Sequence, residues 1–189
     1  MKQSLFPTYF WKLKVPNNQS IKDRYLQSFI DGYESKIYNV PKGWVTHKCH
    51  TSFEKNKITD KDICDEYSTI FNSIFDKEWS GNFEMWYQVY KNNEYQEWHD
   101  HTPSTLSAIH FLNFKDEHYA PIFEDSLKSI KSIIRHSALN KDLASSHRYT
   151  PEVEEGDIII FPSYLHHTVP AGQYKTHRVT IAINLSIPL

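Results

Sequence analysis

The run that most constrains this 189-residue chain is RVTIAINLSI at 178–187. Its side chains alternate strictly. Val179, Ile181, Ile183 and Leu185 fall on one side, and Arg178, Thr180, Ala182 and Asn184 on the other. A period of two belongs to a β-strand, and four branched aliphatics in register require a buried face. The opposite face carries Arg, Thr and Asn rather than the charge mixture of a solvated surface. It suits the mouth of a barrel, where Arg178 offers a two-pronged guanidinium to a carboxylate. Other runs read as strands: FEMWYQVY at 83–90, with Phe83, Met85, Tyr87 and Val89 on one face; LSAIHFLNF at 106–114; and DIIIF at 157–161 after a Glu-Gly-Asp turn. Short strands with irregular connections predict a sandwich or jelly roll, not a βαβ sheet.

The first 80 residues have a different period. Ile21, Tyr25, Leu26, Phe29, Ile30 and Tyr33 form a helical stripe, and Ile63, Tyr67, Ile70, Phe71, Ile74 and Phe75 form a second. Thr59 and Asp62 resemble a capping box for the second helix. The run at 4–15, with Pro7 removing a ladder donor, predicts an edge strand. Residues 124–148 fit either a short inserted helix or an ordered loop. We therefore expect one mainly β (α+β) domain over 1–189: a helical N-terminal support over 1–80 and a β core over 81–189.

Composition narrows the function. A formal charge of −2 gives no footprint for nucleic-acid binding. Five glycines, with no GxGxxG or Walker pattern, argue against phosphate loops. No apolar run is long enough for a membrane helix, and the N-terminus lacks the features of a signal peptide. Cys49 and Cys64 make no disulfide framework and fit a reducing cytoplasm. With His47 and His50 they suggest zinc only weakly, because no second ligand pair follows.

The histidines are more informative. EWHDH places His99 and His101 two apart, on one face if the strand continues, with Asp100 opposite. In FPSYLHHTVP an extended backbone puts Leu165, His167 and Val169 together and turns His166 away. Neutral imidazoles suit first-row metals, and a three-ligand face leaves positions open for chemistry. Tyr87, Tyr90 and Tyr95 precede the motif as candidate carboxylate partners or packing aromatics. Trp86 and Trp98 are candidate groove residues, and His110 reads as a core or surface histidine.

GDIIIFPSYLHHTVPAG followed by HRVTIAINLSI, with WHDHTPSTLSAIHFL upstream, resembles the iron(II)- and 2-oxoglutarate-dependent oxygenases, especially the small phage-type branch related to prolyl hydroxylases. The resemblance spans about residues 83–187. It implies a double-stranded β-helix, or jelly roll, with helices packed outside, and hydroxylation of an unidentified substrate, a peptidyl residue such as proline being one candidate. Fe(II), 2-oxoglutarate and O2 are the implied cofactors. It implies His99 and His167 as metal ligands, with His167 chosen over His166 by the motif's register. Arg178 is the implied 2-oxoglutarate anchor and Thr180 lies beside it. The family pattern is His-x-Asp, and here His101 stands at the carboxylate position, so His101 or Asp100 completes the triad. The rival readings are a 2-oxoglutarate-independent cupin dioxygenase and a non-catalytic cupin-like module binding a metal or ligand.

Overall fold

A computed structural model describes residues 8–35, 50–51, 58–75, 81–127 and 147–186. In chain order the elements are β1 (Trp11–Lys14), α1 (Asn18–Glu34), β2 (His50–Thr51), α2 (Lys61–Asn72), β3 (Asn82–Tyr90), β4 (Gln96–His99), β5 (Leu106–Asn113), β6 (Ile122–Glu124), β7 (Arg148–Tyr149), β8 (Asp157–Pro162), β9 (His167–Val169) and β10 (Arg178–Ser186). The described residues form a mainly β jelly roll with two helices. The six-stranded sheet runs β1-β8-β5-β10-β3-β2 and the four-stranded sheet β4-β9-β6-β7. All neighbouring pairs are antiparallel.

The alternation read in β10 sets the layering. Val179, Ile181, Ile183 and Leu185 join Met85, Tyr87 and Val89 of β3 in one core with the helices. Phe29 of α1 stacks on Tyr87 at 4.0 Å. Ile63, Tyr67, Ile70 and Phe71 of α2 are buried in the same cluster. Each such side chain removed from water contributes about 1.5–3 kcal/mol. The other face of the large sheet looks toward the small one. Ile109, Phe111, Ile159 and Phe161 pack there with Phe123 of β6 in a second core.

β1 is an edge strand, as the Pro7 argument predicts, although it begins later than the sequence run. The α2 cap differs from the predicted Thr59 box: Asp60 is the N-cap and accepts from the backbone N–H of Asp62 and Ile63. Its short carboxylate reaches both donors from an extended backbone, and Arg24 of α1 holds it through a 2.9 Å ion pair. Gly156, at φ 84°, makes the turn into β8, where a side chain would be strained. Of the residues read as an inserted helix or loop, 128–146 lie outside the described residues, as do His47 and Cys49.

His110 is a core histidine. Nδ1 meets Tyr67 Oη at 2.6 Å and Nε2 meets Asn18 Oδ1 at 2.8 Å. Burial pushes its pKa down to about 3, against smaller raising effects from Asp157 and Glu155. The ring is therefore neutral in the fold while the unfolded chain protonates near pH 6.5. Between those values the unfolded state binds the extra proton, so stability is retained above pH 6.5 and lost as pH falls, by about 1.4 kcal/mol per unit. We expect His110→Gln to flatten the dependence of urea-unfolding free energy on pH between 6 and 4 by about that slope. Equal slopes in the two proteins would refute it.

Candidate metal centre

The site lies between the sheets, where β3 and β10 face β4 and β9. Pairing β4 with β9 sets His99 opposite His167. Their ring centroids are 4.3 Å apart. His101 lies beyond the end of β4, so strand alternation does not place it. Its backbone N–H donates to Ser163 O at 2.9 Å, tying it to the end of β8 and stacking its ring on His167 at 5.2 Å. One donor nitrogen from each of His99, His101 and His167 lies within 4.8 Å of the other two.

This donor set fits a metal ion. His99 Nδ1 donates to Glu97 O at 2.6 Å and His167 Nδ1 to Leu165 O at 2.9 Å. A carbonyl only accepts, so both Nδ1 atoms carry the proton and both Nε2 atoms keep a lone pair for a metal. Burial, followed by the repulsion that would arise between protonated forms of His101 and His99, pushes His101 down to about 3. Burial, followed by His99 and His101, holds His167 well below its ordinary value. Both are therefore neutral, the form that coordinates. Imidazole–metal bonds of about 2.1 Å bring donors roughly 3–4 Å apart, a small side-chain adjustment from the observed spacing.

The other candidates separate by position. Asp100 is exposed, and its Oδ1 accepts from the backbone N–H and hydroxyl of Thr102 at 3.0 and 2.7 Å. Those bonds hold its carboxyl below the usual range. His166 stacks on Trp98 at 5.6 Å, outside the imidazole cluster. Tyr87 belongs to the helix-facing core. Tyr95 is half-buried and not part of the cavity wall. Trp86 is buried with its ring 5.9 Å from His101.

The three imidazoles line one cavity together with Arg178 and Thr180. Arg178 is 1% exposed. Its guanidinium lies 4.7 Å over the Tyr90 ring, and Nε donates to Tyr119 O at 3.1 Å. Thr180 Oγ is buried in the wall without a hydrogen-bond partner. Such a group costs about 1–3 kcal/mol unless a ligand satisfies it. Sequence reading missed Gln88 and Gln96. Both line the cavity, with Gln88 Nε2 donating to Gln96 Oε1 at 3.1 Å and Tyr90 Oη donating to the same oxygen at 2.9 Å. Gln88 was reachable from alternation in β3, since it shares the face of Trp86 and Tyr90. Gln96 was not, because it depends on β4 crossing to β9.

Residues 84–184, more than half of the chain, match the family model of the 2OG-Fe(II) oxygenases. The chain belongs to that family. As a 2-oxoglutarate/Fe(II) oxygenase it is an enzyme whose cofactors are Fe(II), 2-oxoglutarate and O2. Similar solved structures include a prolyl-4-hydroxylase from Pseudomonas putida, at 13% identity and TM-score 0.62, over 96% of this chain and 94% of that one. A prolyl hydroxylase from Trichoplax adhaerens, in complex with a hypoxia inducible factor oxygen degradation domain peptide fragment, aligns at 10% identity and TM-score 0.64, over 94% and 83%. HygX from Streptomyces hygroscopicus, with nickel and 2-oxoglutarate bound, aligns at 10% and 0.59, over 96% and 84%. At these identities the likeness is one of fold. No curated protein matches the chain. Among the described residues of the oxygenase, no helix is long and apolar enough to cross a membrane.

Proposed function

We propose that this oxygenase holds Fe(II) on His99, His101 and His167, and that 2-oxoglutarate lies along the cavity with its far carboxylate on Arg178 and Thr180. We further propose that it hydroxylates a peptidyl residue such as proline. The observation that carries the assignment is the convergence of three imidazole donors within 4.8 Å in one cavity with a buried arginine. Iron and 2-oxoglutarate, when bound, would supply the family's O2 chemistry: one oxygen atom of O2 would enter a substrate C–H bond and the other succinate, as 2-oxoglutarate loses CO2. The chain's own contribution is orientation and exclusion of water. The carbonyls of Glu97 and Leu165 hold two rings in the coordinating tautomer. Arg178 offers charge-assisted hydrogen bonds that fix the cosubstrate lengthwise. Phe161 and Val169 line the cavity, keeping part of its wall apolar.

A peptide substrate is supported by the prolyl hydroxylases among the structural neighbours, one of them peptide-bound. In this reading the segment 81–189 is catalytic, and 1–80 supports it through α1 and α2.

The ligand set is tested by calorimetric titration of metal into two variants. His101→Ala is expected to lose metal affinity by at least about a hundredfold, beyond the 10–100-fold typical of outer-sphere partners. Asp100→Ala is expected to retain it. The inverse result would make Asp100 the ligand. Succinate release from Fe(II), ascorbate and 2-oxoglutarate with proline-containing peptides tests the substrate class, and a peptide that does not stimulate turnover is not a substrate.

A further inference from the structure

The three clustered imidazoles differ in charge from a His-x-Asp site, and this has consequences for binding order. An imidazole must be neutral to coordinate, so His99, His101 and His167 bring no negative charge to a divalent ion. None of the described residues lining the cavity is acidic. The adjacent carboxylate, Asp100, is exposed and engaged by Thr102. Glu124, buried at the end of β6, is ion-paired with Arg148 at 3.5 Å. Arg178, in the same cavity, has the same sign as the metal. A dication taken into this water-poor enclosure by neutral ligands keeps its full charge, which is costly in a medium of low polarisability.

We propose that the neutral triad makes metal and 2-oxo dicarboxylate a strongly coupled pair: the dianion supplies the negative charge that His101 does not, so each partner binds weakly until the other is present. This rests on the ligand reading of the preceding subsection. Coupling of this kind is reciprocal, so the factor by which 2-oxoglutarate tightens the metal equals the factor by which the metal tightens 2-oxoglutarate. Direct chelation contributes to that factor in any such site. The part due to charge is the part that disappears when a ligand becomes anionic.

The experiment is a calorimetric binding cycle with Mn(II), which avoids oxidation, measured with and without saturating 2-oxoglutarate. In the wild-type protein 2-oxoglutarate is expected to tighten Mn(II) by at least about thirtyfold, within the range of strong allosteric couplings. In His101→Asp, Mn(II) alone is expected to bind more tightly than in wild type, and the coupling factor to fall at least about fivefold. His99→Asp puts the charge on another ligand of the same face and is expected to lower the coupling likewise, which keeps the test open if His101→Asp does not fold by circular dichroism. Asp100→Asn is expected to leave the factor unchanged. Coupling below about threefold in wild type overturns the proposal, as does coupling in a folded Asp variant equal to that of wild type. If 2-oxoglutarate binds neither with nor without metal, the reading of the cavity as its site fails instead.

Discussion

His167→Ala is expected to give no succinate above background with Fe(II), ascorbate and saturating 2-oxoglutarate, while His166→Ala retains a substantial fraction of the wild-type rate. The two residues are adjacent, but the chain gives them different neighbours as it enters β9 at His167. His167 is 2% exposed, clustered with His99 and His101, and held in the coordinating tautomer by Leu165 O. Its removal takes one of the three proposed metal donors and leaves a gap between Phe123 and Phe161, whose rings pack on it at 5.4 and 5.1 Å. His166 stacks on Trp98, and loss of one aromatic pair costs about 0.5–1.5 kcal/mol, felt as stability rather than chemistry. Metal content and succinate release of both variants are the measurements. An active His167→Ala protein beside a dead His166→Ala protein would put the register of β9 off by one.

Arg178→Ala is expected to weaken 2-oxoglutarate by at least about tenfold, without lowering metal affinity in its absence. Hydrogen bonds to charged groups contribute about 1.5–3 kcal/mol each, and about 1.4 kcal/mol is already a factor of ten. The guanidinium is pre-oriented by the Tyr90 ring and by Tyr119 O, so little side-chain freedom is lost when a carboxylate binds. Arg178→Lys is expected to recover only part of the loss, because an ammonium cannot reproduce the planar fork. The readout is titration of the visible band of the anaerobic Fe(II)–2-oxoglutarate complex in the three proteins. Arg178 also packs beside Phe111 and Phe114, so circular dichroism must show the Ala variant folded. Unchanged affinity in a folded variant would remove Arg178 from the cosubstrate site.

What the sequence determined by itself was whatever depends on local period. Alternation in β10 separated the aliphatic core from Arg178 and Thr180, and the same rule turned His167 inward and His166 away. These are properties of one strand, since successive side chains must point to opposite faces. The helical stripes of α1 and α2 were legible for the same reason at a period of 3.6. Tertiary structure alone decided the contacts between distant segments. His101 comes beside His99 and His167 through a hydrogen bond to Ser163, not through an alternation that would have needed β4 to continue. Gln96 reaches the cavity because β4 crosses to β9, and Asp60 rather than Thr59 caps α2, where Arg24 of α1 also pairs with it. A local pattern states which way a side chain points. What it then meets depends on segments tens of residues away, whose positions are set only when both sheets and the helices close around their shared cores.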